Sequence, residues 1–291
     1  MKKSFAVLFA ALFMALGVIS CGDDPVEPDD GGTVNLSFKF KAGDTFTYDY
    51  YDRDENNDPM QDSKKVIVWT VLSTDASIGG RSGVAEIQQI RYEADGVTAI
   101  DTSTVYFQTN SQAQVLQYNL FQNILTQFSG SVDLSPVIAQ ISDNWIQVGD
   151  TKSPSALTWD FSGILKTIQD VDVAGVIELD IQVEMSVNSS HKGRESVTVP
   201  SGTYANAYVT DHEVPTSITA AEDKELTFPP VSIEDGDVLI QDAADLHYAI
   251  DIDAGIVSMS MDSHTTTLVP ISSPYPVNGF EMNLTSVTRA E

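Results

Sequence analysis

The sequence predicts a mainly β protein, folded as an antiparallel, strongly curved sheet or open barrel with one or two short helices. Three observations lead there. Apolar and polar residues alternate with a period of two over long stretches. Gly, Asp and Pro turn chemistry separates those stretches. Helical spacing of apolar residues is confined to one short region.

Val34, Leu36, Phe38 and Phe40 alternate with polar neighbours, and Phe46, Tyr48 and Tyr50 do so after Ala42-Gly43-Asp44. Residues 34–51 therefore read as a hairpin. A further strand runs from Val66 to Val71. The longest lies over 177–188, where Ile177, Leu179, Ile181, Val183, Met185 and Val187 share one face, and Glu178, Asp180 and Glu184 lie on the other. At about 3.3 Å per residue it spans ~40 Å, with one dry and one wet side, as in an antiparallel sheet covered on one face. Over 245–262, matched apolar faces pair Ile252 with Val257, Ile250 with Met259 and Tyr248 with Met261. This register places a turn at Asp253-Ala254-Gly255-Ile256. Leu120, Phe121, Ile124, Leu125 and Phe128 recur at helical spacing, and Ser135-Pro136 opens a second short helix, so helices are expected near 119–142. Gly43-Asp44-Thr45 recurs as Gly149-Asp150-Thr151, which is too short an echo to establish a repeat.

The chain has 291 residues and a formal net charge of −27. A polyanion of this kind is not expected to bind nucleic acid. Its single cysteine excludes a disulfide framework and a multi-thiolate zinc site. Residues 1–20 carry Lys2 and Lys3 ahead of an uncharged, almost wholly apolar run from Phe5 to Ile19. The run is short of the ~20 residues a spanning helix needs, and it reads as a secretory signal peptide. Residues 21–33 hold Asp23, Asp24, Glu27, Asp29 and Asp30 with two prolines, so they read as an acidic, extended tether. Residues 34–291 form the β-rich domain. It divides, if at all, into halves of about 34–118 and 143–291 on either side of the helical segment.

Val18-Ile19-Ser20-Cys21, at the end of the apolar run, resembles the lipobox of bacterial lipoproteins. The resemblance implies cleavage before Cys21, acylation of its sulfur and new amino group, palmitate among the chains, and a membrane partner reached through lipid. Each buried CH₂ adds ~0.8 kcal/mol, so several chains anchor durably. Residue 22 is Gly, whereas in the enterobacterial sorting pattern an Asp there retains a lipoprotein at the inner membrane. The resemblance thus implies a cell-envelope protein of the outer membrane, on its periplasmic or surface face.

Candidate chemistry is sparse. No phosphate loop, dinucleotide fingerprint or G-x-S-x-G elbow occurs. His212-Glu213-Val214-Pro215 starts like a zincin helix but lacks the second histidine and contains proline. His191, His212, His247 and His264 show no metal spacing. The 245–262 register sets His247 opposite Asp262, an exposed cross-strand pair that could also orient an imidazole. Asp52, Asp54, Asn56 and Asp58 place oxygens at positions 1, 3, 5 and 7 of a calcium-loop pattern. Position 12 is Ser63, without the bidentate carboxylate, so a solvated acidic loop is expected and weak calcium binding is the alternative. Asp251-x-Asp253-x-Gly255 is a shorter fragment of the same kind, already used by a hairpin end. Phe38, Phe40, Phe46, Tyr48, Tyr50 and Tyr51 read as core packing, with an apolar groove as the alternative. No catalytic residue, metal or cofactor is assigned.

Val197-Thr198-Val199-Pro200-Ser201-Gly202-Thr203-Tyr204, with Gly43-Asp44-Thr45-Phe46-Thr47-Tyr48 before it and Gly255-Ile256-Val257 after it, is similar to elements found in that order in uncharacterised secreted bacterial lipoproteins. Those proteins resemble open β-sheet carriers of the LolA/LolB type. The resemblance implies a non-enzymatic binding module for an apolar or acylated small-molecule ligand. Tyr204 replaces the commoner Phe. The alternatives are a structural or adhesive surface protein with an acidic, calcium-dependent face and, behind it, a hydrolytic enzyme.

The anchor is testable. Cys21→Ser should leave unprocessed precursor and abolish radioactive palmitate incorporation in cells; unchanged labelling would refute lipidation.

Overall fold

The computed structural model describes residues 38–110, 114–120, 145–150, 158–173, 177–227, 230–263, 266–267 and 279–291. The signal peptide, Cys21, the tether, His264 and the helical segment beyond Leu120 lie outside them.

Fifteen strands follow in chain order: β1 (Thr45–Asp52), β2 (Lys65–Ile78), β3 (Arg81–Glu93), β4 (Ala99–Thr109), β5 (Gln114–Tyr118), β6 (Trp145–Asp150), β7 (Thr158–Val173), β8 (Ile177–Val199), β9 (Gly202–Ala220), β10 (Lys224–Thr227), β11 (Pro230–Ile233), β12 (Val238–Asp251), β13 (Gly255–Ser263), β14 (Thr266–Thr267) and β15 (Gly279–Thr288). A 3₁₀ turn, Gln61–Ser63, lies between β1 and β2. The protein is mainly β and antiparallel, as the alternation predicts.

Thirteen strands make one sheet in the order β6-β5-β4-β3-β2-β1-β15-β13-β12-β9-β8-β7, with β14 paired to β12; β10 and β11 pair separately. Two meanders, β1 to β6 and β7 to β9, are thus joined through the last strand lying against the first. The sheet curls until β6 meets β9 and β12 from the inside, nearly closing a barrel. Gly149 of β6 permits that approach, since a Cβ there would lie 2.5 Å from Cδ1 of Ile250.

The inside is filled. Phe46, Tyr48, Trp69, Ile87 and Phe107 from one meander pack in one core with Leu179, Met185, Val214, Leu246 and Ile250 from the other side. Tyr48 and Tyr248 are fully buried. Each such side chain contributes about 1.5–3 kcal/mol by leaving water. The hydroxyls still find acceptors: Tyr48 donates to Ile256 O at 3.1 Å and Tyr248 to Gln117 Oε1 at 3.1 Å. Of the early aromatics, Phe46 and Tyr48 are core and Phe38, Phe40 and Tyr50 pack against it, as the packing reading expects; Tyr51 lies outside it, with Lys64 over its ring. Phe40 stacks on Phe38 with centroids 4.7 Å apart and meets Phe46 at 5.3 Å.

Several expectations need correction. Residues 38–41 form no strand, so the hairpin over 34–51 is not made; β1 pairs instead with β2 and β15. The aromatic alternation is real, but Phe38 and Phe40 use it to reach the core without a ladder. The 245–262 hairpin forms with its register shifted by two residues. Tyr248 faces Met259, Leu246 faces Met261, and a bulge lies between Ala249 and Ile250. A two-residue shift keeps every side chain on its face, so alternation cannot detect it. Turn chemistry decides: Asp251 Oδ1 accepts from Asp253 N at 2.9 Å and Ala254 N at 2.8 Å, and Gly255 takes φ +83°. A Cβ on Gly255 would also strike the Phe40 ring at 2.9 Å. The strand expected over 177–188 continues to Val199, where Pro200 ends it and Gly202 begins β9. Gly149 lies inside β6 whereas Gly43 sits in a turn, so the two Gly-Asp-Thr runs are not structural repeats.

Asp44 fastens the centre. It is fully buried, and its carboxylate accepts from Lys41 N at 2.9 Å, Ala290 N at 2.9 Å and Arg289 at 2.5 Å. Burial pushes its pKa up, but the Ala290 and Lys41 amides and the Arg289 guanidinium outweigh that and hold it below the ordinary carboxylate value. Asp44→Asn should cost about 2–3 kcal/mol in urea unfolding of the purified protein. The folded chain binds fewer protons than the unfolded one here. The Asp44 contribution is therefore full above about pH 4 and is lost as pH falls below the ordinary carboxylate value; the Asn variant should lack that part of the acid slope.

Candidate functional site

Alternation along β8, β9 and β12 sends one row of side chains into the core and the next outward. Register then aligns the outward rows across strands. Asn188, Glu213, Asp245 and Asp262 form one rung, and Ser190, Asp211, His247 and Ser260 form the next. With Ser189, Lys192 and Leu246, residues of these rungs line a groove of about 370 Å³ on the outer face.

Asp211 organises the groove. His247 Nδ1 lies 2.6 Å from its Oδ1 and Lys192 Nζ lies 3.1 Å from its Oδ2. Both partners of the His247–Asp211 pair are about 40% exposed, so by itself the pair adds less than about 1 kcal/mol to stability. The expected His247–Asp262 pairing is not made. Asp262 instead bonds Arg53, which also reaches Glu281 at 3.1 Å. The two-residue register shift is the cause, because it sets Ser260 where Asp262 was expected.

A second imidazole faces inward. His212 is buried on β9; its Nδ1 lies 2.5 Å from Ser189 Oγ and its Nε2 3.4 Å from Val148 O of β6. Burial pushes its pKa down to about 4, against the opposing pull of the Val148 carbonyl and the Asp211 charge. The neutral ring accepts from Ser189 and donates to Val148. In a hydrolytic triad a carboxylate orients the ring; here a backbone carbonyl takes that position.

The calcium-loop residues do not converge. Asp54 Oδ1 accepts from Asn56 N at 2.8 Å and Asp58 N at 3.0 Å, which folds the loop on itself. Asp52 bonds Lys65 at 2.8 Å. Asp253 pairs with Lys39 at 2.5 Å. Among the described residues no group of three or more His, Cys, Asp or Glu is placed to hold a metal ion.

Sequence reasoning singled out His247 but missed Asp211, Lys192 and the Ser189–His212 pair. The parity of Tyr208, Thr210, His212, Val214, Thr216 and Ile218 was the available signal. It puts Asp211 and Glu213 together on the opposite face. Which outward residues of β8 and β12 they meet depends on register.

No protein-family model and no curated protein sequence matches this chain. A solved structure similar to it is a "putative exported protein with YmcC-like fold" from Bacteroides fragilis, at 8% identity and a TM-score of 0.40, covering 87% of this chain and 99% of that one.

Proposed function

We propose that this protein is an exported, lipid-anchored envelope module that acts by binding rather than catalysis. Its acidic outer groove receives a basic group of a partner molecule. The observation that carries this reading is the groove itself, where Asp211, Glu213, Asp245 and Asp262 converge on a chain of net charge −27. Among its lining residues four carboxylates stand beside one lysine and one histidine, with Arg53 bonded to Asp262, so its charge is predominantly acidic. A basic partner is drawn in by that field and gains specificity from fixed positions along two rungs. The export and outer-membrane part of the proposal rests on the apolar leader and lipobox. A non-catalytic role is supported by the two histidine pairs, neither of which combines nucleophile, imidazole and carboxylate in one hydrogen-bonded line.

An apolar or acylated small molecule is the second reading. The curved sheet has an apolar concave face, and β6 and β7, at the two ends of the strand order, do not pair with each other among the described residues. That face is occupied by Tyr48, Phe46, Phe107 and Tyr248, which favours the outer groove as the binding surface.

A lysine decapeptide titrated into the purified protein at low salt tests the groove. Replacing Glu213 by Gln together with Asp245 by Asn should weaken binding about tenfold, equivalent to ~1.4 kcal/mol. A control pair away from the groove, Asp75→Asn with Glu93→Gln, should weaken it less than about twofold. Equal losses in the two variants would mean that bulk charge alone attracts the peptide, and the groove would lose its assigned role.

A further inference from the structure

Residues 38–41 precede β1 and belong to no strand, yet they sit in a shaped slot. Four separate parts of the fold build it: Phe107 and Thr109 at the end of β4, Phe46 of β1, Ile252 to Gly255 in the turn between β12 and β13, and Arg289 after β15. The slot engages both backbone and side chains. Lys39 N donates to Ile252 O at 3.5 Å, Arg289 donates to Lys39 O at 3.4 Å, and Phe38 N donates to Thr109 Oγ1 at 3.4 Å. The Phe38 ring meets Phe107 edge-on with centroids 6.4 Å apart, and the Phe40 ring meets Phe46 at 5.3 Å. Gly255 leaves room for the second ring, since a Cβ there would lie 2.9 Å from it. Between the rings, Lys39 reaches outward to Asp253 at 2.5 Å.

The hold on this segment is light. Its three backbone contacts lie at the long end of the hydrogen-bond range. The Lys39–Asp253 pair is more than half exposed on both sides, where water screens it. What retains the segment is mainly its two rings, both only partly buried. The floor beneath them is firm, because Phe46 and Phe107 are buried in the main core. A pivot is built in as well: Lys41 N donates to Asp44 Oδ2 at 2.9 Å, Asp44 N donates to Lys41 O at 3.0 Å, and Gly43 takes φ +92°. Residues 38–40 can therefore leave while the Lys41–Asp44 turn stays, and no ladder is broken. We propose that the slot is a docking site for an aromatic–basic–aromatic segment of a partner polypeptide, and that Phe38-Lys39-Phe40 is the protein's own exchangeable occupant, which blocks the site until it is displaced. A carbonyl acceptor and a guanidinium donor on one residue's backbone, flanked by ring sites two residues apart, recognise an extended chain. Asp253 selects a cation between the rings, and the net charge of −27 favours one. An apolar small molecule would fill the ring sites without using Ile252 O, Arg289 or Asp253. The slot shares no residue with the outer groove and works whatever that groove binds.

Fluorescence anisotropy of a labelled peptide of residues 35–41, titrated with the purified protein at about 150 mM salt to screen bulk charge, tests this. The parent protein should bind it weakly, because its own arm fills the slot and only the open fraction is competent. Phe38→Ala combined with Phe40→Ala empties both ring sites and should tighten binding by about tenfold or more. Phe38→Ala alone should fall between the two. A peptide with both phenylalanines replaced by alanine keeps its lysines and should bind none of them. Urea unfolding of each variant, with an unchanged slope, reports that the body is folded. Equal affinity of parent and double variant, equal affinity for the ring-less peptide, or no binding by the folded variants would each overturn the proposal. Failure of the double variant to fold would overturn it too, since the rings would then be an obligatory part of the core.

Discussion

The pairing of the first strand with the last is the constraint on which this fold depends. Thr45 lies opposite Thr288 and Asp52 opposite Phe280, so β1 and β15 sit side by side in the middle of the sheet. Without them the two meanders share no ladder. Asp44 holds the junction by accepting from the turn before β1 and from the tail after β15 with one buried carboxylate. Its backbone oxygen takes Val71 N at 2.9 Å as well, adding β2 to the same point. Contacts so distant in sequence form only after a large loop-closure entropy has been met, so strong local fastening there has a clear physical purpose.

Around that junction the three dispersed motifs come together. The Gly43–Tyr48 run supplies Tyr48, whose hydroxyl reaches Ile256 O in the Gly255-Ile256-Val257 run. The Pro200–Ser201 turn docks on β15 through Ser201 N to Leu284 O at 3.0 Å, and Ser201 Oγ meets the Tyr204 hydroxyl at 3.0 Å. Tyr204 in turn packs against the main core. The motifs are therefore mutual fasteners of the fold. Their chemistry is satisfied internally, and the polar groove lies elsewhere, on the opposite face of β8, β9 and β12.

The outer groove and the inward His212 contacts share the same strands. Asp211 and His212 are adjacent in β9, one outward beside Lys192 and His247, one inward beside Ser189 and Val148. A strand delivers neighbouring residues to opposite sides of a sheet, so one short segment serves a solvated ionic site and a dry neutral one. Water screens the first pair, whereas burial strips the second imidazole of its proton.

The alternation of residues fixed the β class, the long β8 strand and the sidedness of its faces, because side-chain period is a property of local backbone geometry. Turn residues such as Pro200 and Gly202 marked where β8 ends and β9 begins. Partners across strands were decided by tertiary structure. His247 meets Asp211 rather than Asp262, and Phe38 and Phe40 reach the core without a ladder, because register and curvature arise from contacts between distant segments. A local pattern states which way a side chain points; only the closed sheet states what it meets there.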